Sequence, residues 1–512
     1  MKNIKPFIYP LAVVPMVLGS SCKEKKQEQR PNILYIMSDD HSYQTVSAYG
    51  YGLNETPNID RIGREGVRFN NCFVTNSISG PSRACMITGK FSHINGFYDN
   101  GPKTRFDSTQ QTLPKILQAE GYQTAVIGKW HLKTEPTGFD YYSVHYDQGE
   151  YYNPDFMENG QKRVHYEGYA TDLTASNTIK YLEEADKSKP FFVMMQFKAP
   201  HRNWMSAPEK LSMYEDVTFP EPSNLFDNYE GRLAAQQQEM TIDKHMSMGY
   251  DLKMVGDWDD TKPNELKRMT PEQLEKWNAH YEPIAEDLKK RKLTGAELVS
   301  WKYQRYMRDY LKCISSVDDN VGRVLEYLEK TGQLENTIII YTSDQGFYMG
   351  DHGWYDKRFM YEESFRAPFM IRYPKQIASS VKTTDAMIQN IDFAPTLLDM
   401  VGAEVPSDMQ GESFKPVLTG EKETFKEAVY YHYYEYPRPH AVKRHYGVRT
   451  DRDKLIHFYD DIDVWELYDL ANDPKEMKNL INDESMGEVI AQLKVKLSEL
   501  QEKYNDPIRL NK

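Results

Sequence analysis

Two apolar runs in this sequence end in carboxylates. Asn32-Ile33-Leu34-Tyr35-Ile36-Met37 leads into Ser38-Asp39-Asp40-His41, and Thr337-Ile338-Ile339-Ile340-Tyr341-Thr342 leads into Ser343-Asp344-Gln345-Gly346. Carboxylate and amide oxygens suit a hard divalent cation, and a strand end holds them still. Alone, Asp39-Asp40 reads more naturally as a solvated turn. A second such run in the same position on another strand brings the metal reading level with it. Two further apolar runs, 123–128 and 191–197, end in Lys129-Trp130-His131 and Lys198-Ala199-Pro200-His201. If the strand continues through 129–131, Lys129 and His131 face the same way and set a cation and an acid/base group over one pocket. His201 is a second acid/base candidate, although each histidine taken singly reads more readily as a hydrogen-bonded or surface residue. Ser79 and Ser82 lack the Gly-x-Ser-x-Gly turn of an ordinary serine hydrolase.

These residues need a scaffold that brings four strand ends together. From about Pro31 short apolar runs alternate with helical stretches, which predicts an α/β fold with a mostly parallel sheet flanked by helices. In such sheets sites gather beyond the carboxyl ends of the strands. A long helix is predicted over 295–330, with Tyr306, Tyr310, Leu311, Ile314, Val317 and Val321 at three- and four-residue spacing. The polar segment 205–297, which holds Asp257-Trp258-Asp259-Asp260, reads as an irregular or helical insert that could roof the site. After about residue 420 short aromatic runs predict a small antiparallel sheet, closed by a helix over 485–504. The expected division is therefore 1–30 as leader and tether, 31–420 as the catalytic α/β domain, and 421–512 as an α+β subdomain.

The chain has 512 residues, with 63 Lys+Arg against 76 Asp+Glu and a formal charge of −13. That balance argues against a nucleic-acid or anionic-membrane binder. With 39% hydrophobic and 13% aromatic residues the chain is too apolar to be disordered. Its first 22 residues have the plan of a secretory signal: two lysines, a proline-broken apolar stretch, then small residues before Cys22. The run resembles a bacterial lipoprotein signal, in which Cys22 would become the lipidated N-terminus. This predicts a periplasmic or membrane-anchored protein of a Gram-negative bacterium, touching a membrane only through that lipid. The remaining Cys72, Cys85 and Cys313 read as buried, inert thiols.

The stretch Ser79-Gly80-Pro81-Ser82-Arg83, followed by Thr88-Gly89, resembles the modification motif of the formylglycine-dependent sulfatases, in its serine form. NILYIMSDDHS, TPNIDRIGREGVRF, GKWH, APH and SDQGFYMGDHGWYDKRF stand in family order around it, and the resemblance runs from about residue 31 to ELYDLANDPKEMKNL at 466–480. It implies an alkaline-phosphatase-like fold and a formylglycine made from Ser79 by a serine-type sulfatase-maturing enzyme. By motif position Asp39, Asp40, Ser79, Asp344 and Gln345 would hold Ca²⁺, with Mg²⁺ as the alternative. The family usually carries Asn or His where this chain has Gln345, whose amide still offers a carbonyl oxygen.

The same resemblance assigns Arg83 to orient residue 79, Lys129 and Lys357 to neutralise the sulfate oxygens, His131 as base, and His201 as acid to the leaving alcohol. DHGWYDKRFMYEES at 351–364 resembles most closely the exported N-acetylglucosamine-6-sulfatases and other glycosaminoglycan sulfatases. A sulfated mono- or oligosaccharide is thus the expected substrate, with 6-O-desulfation of a terminal glucosamine as the leading reaction. Asp351, His352, Arg358, His440 and His445, with Lys443 and Arg444, are candidates for sugar contacts. The alternatives are an N-sulfoglucosamine or 2-O-sulfated uronate sulfatase, a phosphodiesterase or phosphonate hydrolase of the same superfamily, and a lipoprotein that binds sulfated glycans without turnover. A phosphate monoester would call for a second metal, and the sequence offers ligands for one.

Overall fold

A computed structural model of the protein describes residues 1–3, 6, 30–254 and 262–509. Cys22 and the run at 257–260 lie outside the described residues. Five parallel strands form the middle of the molecule: β1 (Asn32–Ser38), β2 (Gln123–Gly128), β3 (Tyr141–His145), β4 (Phe191–Gln196) and β5 (Thr337–Ser343). They lie side by side in the order β5-β1-β4-β2-β3 within a sheet of ten described strands, whose edges are completed by shorter, partly antiparallel strands. Because all five run the same way, their carboxyl ends share one edge.

β1 is buried along its whole length. Its side chains alternate between two cores: Leu34 and Ile36 join one, and Ile33, Tyr35 and Met37 the other. Helix α1 (Ser79–Thr88) lends Ala84, Met86 and Ile87 to the second core. Helices α2 (Ala170–Glu184) and α3 (Gly295–Lys330) cover the opposite face, where the predicted stripe from Tyr306 to Val321 packs. A fully buried Ile or Leu contributes about 1.5–3 kcal/mol, so the two-sided burial of β1 fixes the sheet firmly.

The register does the positioning. Ser38 pairs with Ser343, so Asp39 and Asp344 leave neighbouring strands at the same level. The Asp344 amide donates to the Ser38 carbonyl at 3.3 Å, which keeps the two ends together beyond the sheet.

A second, four-stranded antiparallel sheet (Ala428–Tyr433, His445–Thr450, Asp453–Phe458, Val464–Asp469) follows the large one in sequence, with helix α4 (Gly487–Lys503) packed on it. Trp354, Phe359 and Tyr361 join its inner face to the large domain. The described residues of segment 205–297 are mostly irregular, with a long helix over Pro271–Arg291. The segment is tied down by Arg202, which donates to both oxygens of Asp251 at 2.6 and 2.7 Å. Among the described residues no helix is long and apolar enough to cross a membrane.

Candidate active site

At the shared strand edge, Asp39, Asp40 and Asp344 lie in one cluster with Ser79, Arg83, Lys129, Lys357 and Gln345, all of them buried. Ser79 opens helix α1, so its hydroxyl sits where the helix dipole is positive, and it donates to Asp39 Oδ1 at 2.9 Å. Gly80 is required beside it, because a Cβ there would lie 2.5 Å from both Asn100 Oδ1 and the Phe97 ring. One helical turn on, Arg83 reaches Asp344 Oδ2 through Nε at 3.1 Å and Nη2 at 3.0 Å. Its Nη1 donates to the Lys129 carbonyl and to Gln196 Oε1 at 2.7 and 2.8 Å, binding the ends of β2 and β4 to that of β5. Lys129 contacts Asp39 Oδ2, and Lys357 donates to Asp40 Oδ2 at 2.6 Å. Asp40 has a left-handed backbone, φ 65, held by its own N–H on Asp344 Oδ1 at 3.0 Å and by the Tyr310 hydroxyl from α3 on its carbonyl at 2.6 Å. For a non-glycine residue such a conformation costs on the order of 1–3 kcal/mol and persists only where its surroundings impose it.

Three buried carboxylates face three buried cations, yet the balance is uneven. Burial pushes the Asp40 carboxyl up to about 7, against the opposing pull of Lys357. Burial acts on Asp344 in the same direction, but Arg83, Lys129 and Lys357 together hold it below the usual range. Of these two, Asp40 is thus the less fully neutralised. Gln345 turns its amide nitrogen toward Asp40 and Asp344, the latter at 2.9 Å, while its Oε1 is buried without a partner. An under-neutralised carboxylate, two more beside it and an idle amide oxygen fit a hard divalent cation. His201 Nε2 lies 3.8 Å from Asp40 Oδ2, and Asp39, Asp40 and His201 set ligand atoms within 4.8 Å of one another.

The two histidines reach the cluster differently from the sequence expectation. β2 stops at Gly128, φ 103, and His131 itself is left-handed, φ 58, so strand alternation does not aim Lys129 and His131 together. Gln148, on the loop after β3, joins them instead: it contacts Lys129 Nζ through Oε1 and His131 Nε2 through Nε2 at 3.0 Å. Burial, then Lys129 and Arg83, hold His131 well below the usual imidazole range. Burial with Lys129 and Lys357 does the same to His201, whose Nδ1 donates to the Arg202 carbonyl at 2.7 Å.

Beyond Lys357 stands a second polar group. Arg358 Nη1 pairs with Asp356 Oδ1 at 2.5 Å, and His440 Nε2 with Asp356 Oδ2 at 2.8 Å. Burial alone would raise Asp356, but Arg358, Lys357 and His440 hold it well below the carboxylate range. Arg358 Nε and Glu435 Oε2 stand 3.5 Å apart, each buried without a hydrogen-bond partner. The insert closes this side, since His440 bonds the backbone of Glu239 at both its Nδ1 and its carbonyl, each at 2.7 Å.

Arg358 and His440 are therefore close to the cluster, whereas Asp351, His352 and His445 are not brought to it. Asp351 lines a separate cavity of about 310 Å³ with Tyr43, Gln44 and Glu363. His352 is buried against Asp227 at 2.9 Å. His445 is enclosed in the small sheet, with Nδ1 on the Lys443 carbonyl at 2.7 Å and Nε2 taking the Met360 amide at 3.1 Å. Lys443 and Arg444 pair with Asp461 and Asp460 at the rim of that sheet. Cys72, Cys85 and Cys313 are free and buried. Sequence reasoning missed Gln148, Asp356 and Glu435. For the first there was a signal, because Asp147-Gln148-Gly149 repeats at the end of β3 the tripeptide that ends β5.

Residues 31–403 match the sulfatase family, and residues 350–503 match the family described as N-sulphoglucosamine sulphohydrolase, C-terminal. The chain belongs to the sulfatase family. This sulfatase is 51% identical to an N-acetylglucosamine-6-O-sulfatase of Bacteroides thetaiotaomicron, over 98% of this chain and 92% of that one. It is 28% identical to human N-acetylglucosamine-6-sulfatase, over 77% and 65% of the two chains. It also matches, with TM-score 0.90 and 52% identity over 94% and 99% of the two chains, a solved structure of a protein bound to its substrate D-glucosamine-2-N,6-O-disulfate. The enzyme is a sulfuric ester hydrolase of alkaline-phosphatase-like fold.

Proposed function

We propose that this sulfatase removes a 6-O-sulfate from a terminal glucosamine of a sulfated glycan. The observation that carries the reading is the buried cluster around Ser79, in a chain half identical to a relative named for that reaction. When present, formylglycine at position 79 would supply, once water has added to its aldehyde, the hydroxyl that attacks sulfur, and a Ca²⁺ would supply Lewis acidity toward the sulfate oxygens. Asp39, Asp40, Asp344, Gln345 and residue 79 would hold the ion. An all-oxygen set suits Ca²⁺ and leaves the His201 imidazole free for proton transfer.

The chain's own residues then divide the work. Lys129 and Lys357 exchange part of their contact with Asp39 and Asp40 for the sulfate oxygens, and they are already fixed before substrate arrives. Arg83 keeps its grip on Asp344 and on the ends of β2 and β4, which holds residue 79 in line. His131, neutral through burial and Lys129, is ready to take a proton. His201 starts neutral as well; the negative sulfate offsets Lys129 and Lys357, raises the imidazole pKa, and prepares it to protonate the departing alcohol.

Arg358, Asp356, His440 and Glu435 offer both donors and acceptors to sugar hydroxyls, and Glu435 and Asp356 disfavour a second anionic group at that spot. The acidic exterior, −13 overall, around this positive pocket favours terminal sugars of short chains over long intact polymer. The signal-like leader supports export to the periplasm, with Cys22 as a lipid anchor.

Release of inorganic sulfate from defined 6-O-, 2-O- and N-sulfated glucosamine saccharides tests the reading. Turnover of the 6-O-sulfate is expected. The match of residues 350–503 favours cleavage of the N-sulfate as the second reading, and activity confined to N-sulfated substrates would establish that one instead.

A further inference from the structure

We infer that Gln148 is a positioning residue that fixes which nitrogen of His131 carries the proton, and that it does so by using Lys129 as its anchor. The inference rests on the reading of His131 as the base. A lysine ammonium has donors only, so the Gln148 atom against Lys129 Nζ must be the carbonyl oxygen. That leaves the amide NH₂ for His131, at 3.0 Å from Nε2. A donor facing Nε2 makes Nε2 the acceptor, and the ring proton is therefore on Nδ1. One side chain thus converts the fixed charge of Lys129 into a fixed tautomer of its neighbour, whose unprotonated Nε2 accepts the Gln148 amide hydrogen.

The loop is built to hold this geometry. The Gln148 backbone carbonyl accepts from buried Lys198 Nζ at 3.3 Å, and that ammonium also sits 4.8 Å over the Tyr151 ring. At Gly149, φ 71, a Cβ would fall 2.7 Å from the His145 ring, so the loop turns sharply just after Gln148. The charged groups facing His131 are Lys129, Arg83, Lys133 and Lys357, which disfavour its protonation, and the exposed Asp147 carboxylate 3.8 Å from Nε2. The Gln148 amide adds to the first set, because a protonated Nε2 would confront a second donor.

Two substitutions separate this role from general packing. In Gln148→Glu the carboxylate has acceptors only, so both Lys129 and His131 must donate to it. The proton should move to Nε2, and the imidazolium should gain an ion-pair partner. Gln148→Leu keeps the bulk and removes both bonds. Ring tautomers are read by proton–nitrogen correlation spectroscopy on full-length protein labelled at histidine nitrogen, with His131 assigned by loss of its signals in His131→Ala. Recording these spectra in a Ser79→Ala background keeps the result independent of whether the enzyme turns over.

The Nδ1–H form is expected with Gln148 and the Nε2–H form with Glu, while Leu gives a mixture. In active protein, Gln148→Glu should move the acidic limb of the kcat–pH profile upward by about one unit or more. Gln148→Asn, which keeps the amide but shortens its reach, should recover part of the activity lost in the leucine variant. A wild-type His131 carrying its proton on Nε2 would overturn the inference. So would an unchanged tautomer and pH limb in both Gln148→Glu and Gln148→Leu. If the spectra are as expected but His131→Ala retains full activity, it is the assignment of His131 as base that fails.

Discussion

Two groups of histidines in this molecule differ in how completely their ring nitrogens are hydrogen-bonded. In the small sheet, His432 has Asp506 on Nδ1 at 2.7 Å and Tyr459 on Nε2 at 2.8 Å, and His445 is likewise bonded at both nitrogens. At the strand-end cluster, His131 Nδ1 has no partner, and His201 Nε2 stands 3.8 Å from Asp40 Oδ2. A histidine with both valences filled is part of the scaffold. One with fewer bonds, beside fixed cations, keeps a nitrogen that can move a proton. The same contrast covers the carboxylates: Asp506 is fully engaged and titrates below its usual range, while Asp40 is left short of charge and titrates near 7.

Substitutions in the two regions should therefore fail in different ways. The largest effect is expected from Ser79→Ala, which should lower sulfate release by about a thousandfold or more with little change in melting temperature. Lys129→Ala removes a fixed cation from the sulfate oxygens and should cost about a hundredfold in kcat/KM, again in folded protein. In the small sheet the pattern reverses. Asp506→Ala strips the partner from His432 and should cost about 2 kcal/mol in denaturant unfolding, with kcat per folded molecule unchanged.

The smallest effect concerns Glu466 on the last strand of that sheet. Burial raises its carboxyl from 4.5 to about 7, although the Tyr361 and Tyr468 hydroxyls donate to it at 2.7 and 2.8 Å. A raised acid favours the folded state below its unfolded pKa, and that stability is lost as pH rises to the folded value. Glu466→Gln should thus match wild type near pH 4.5 and exceed it by about 1–3 kcal/mol above pH 7. Thermal melts at those two pH values check it. A Glu466 variant with lowered kcat and unchanged stability would break the comparison.

Much of this division was legible in the residues. Four of the five parallel strands and the helix Gly295–Lys330 fall where apolar periodicity places them, because each is buried on a defined face; β3 does not stand out from its aromatic, polar surroundings. Asp39, Asp40 and Asp344 were legible for a related reason: one pair alone reads as a solvated turn, and it is the second strand ending in a carboxylate at the same level that brings the site reading up to it. Periodicity is silent in the loops. Asp356 and Arg358 are left-handed residues, φ 78 and 104, and nothing in their spacing announces that their side chains meet. His445 misled for the opposite reason. The alternating run His445–Thr450 fits a sheet with one solvated face, and only the packing of Phe359, Tyr433 and Phe458 around the ring shows that it faces inward.

The central claim is that Ser79 is the seat of the reaction as formylglycine. Mass mapping of the peptide containing residue 79, from protein isolated from its native host, tests it most directly. Conversion of the serine to the aldehyde removes two hydrogens, so the account predicts a peptide lighter by about 2 Da than the encoded sequence. Unmodified Ser79 throughout a preparation that releases sulfate at full rate would contradict it.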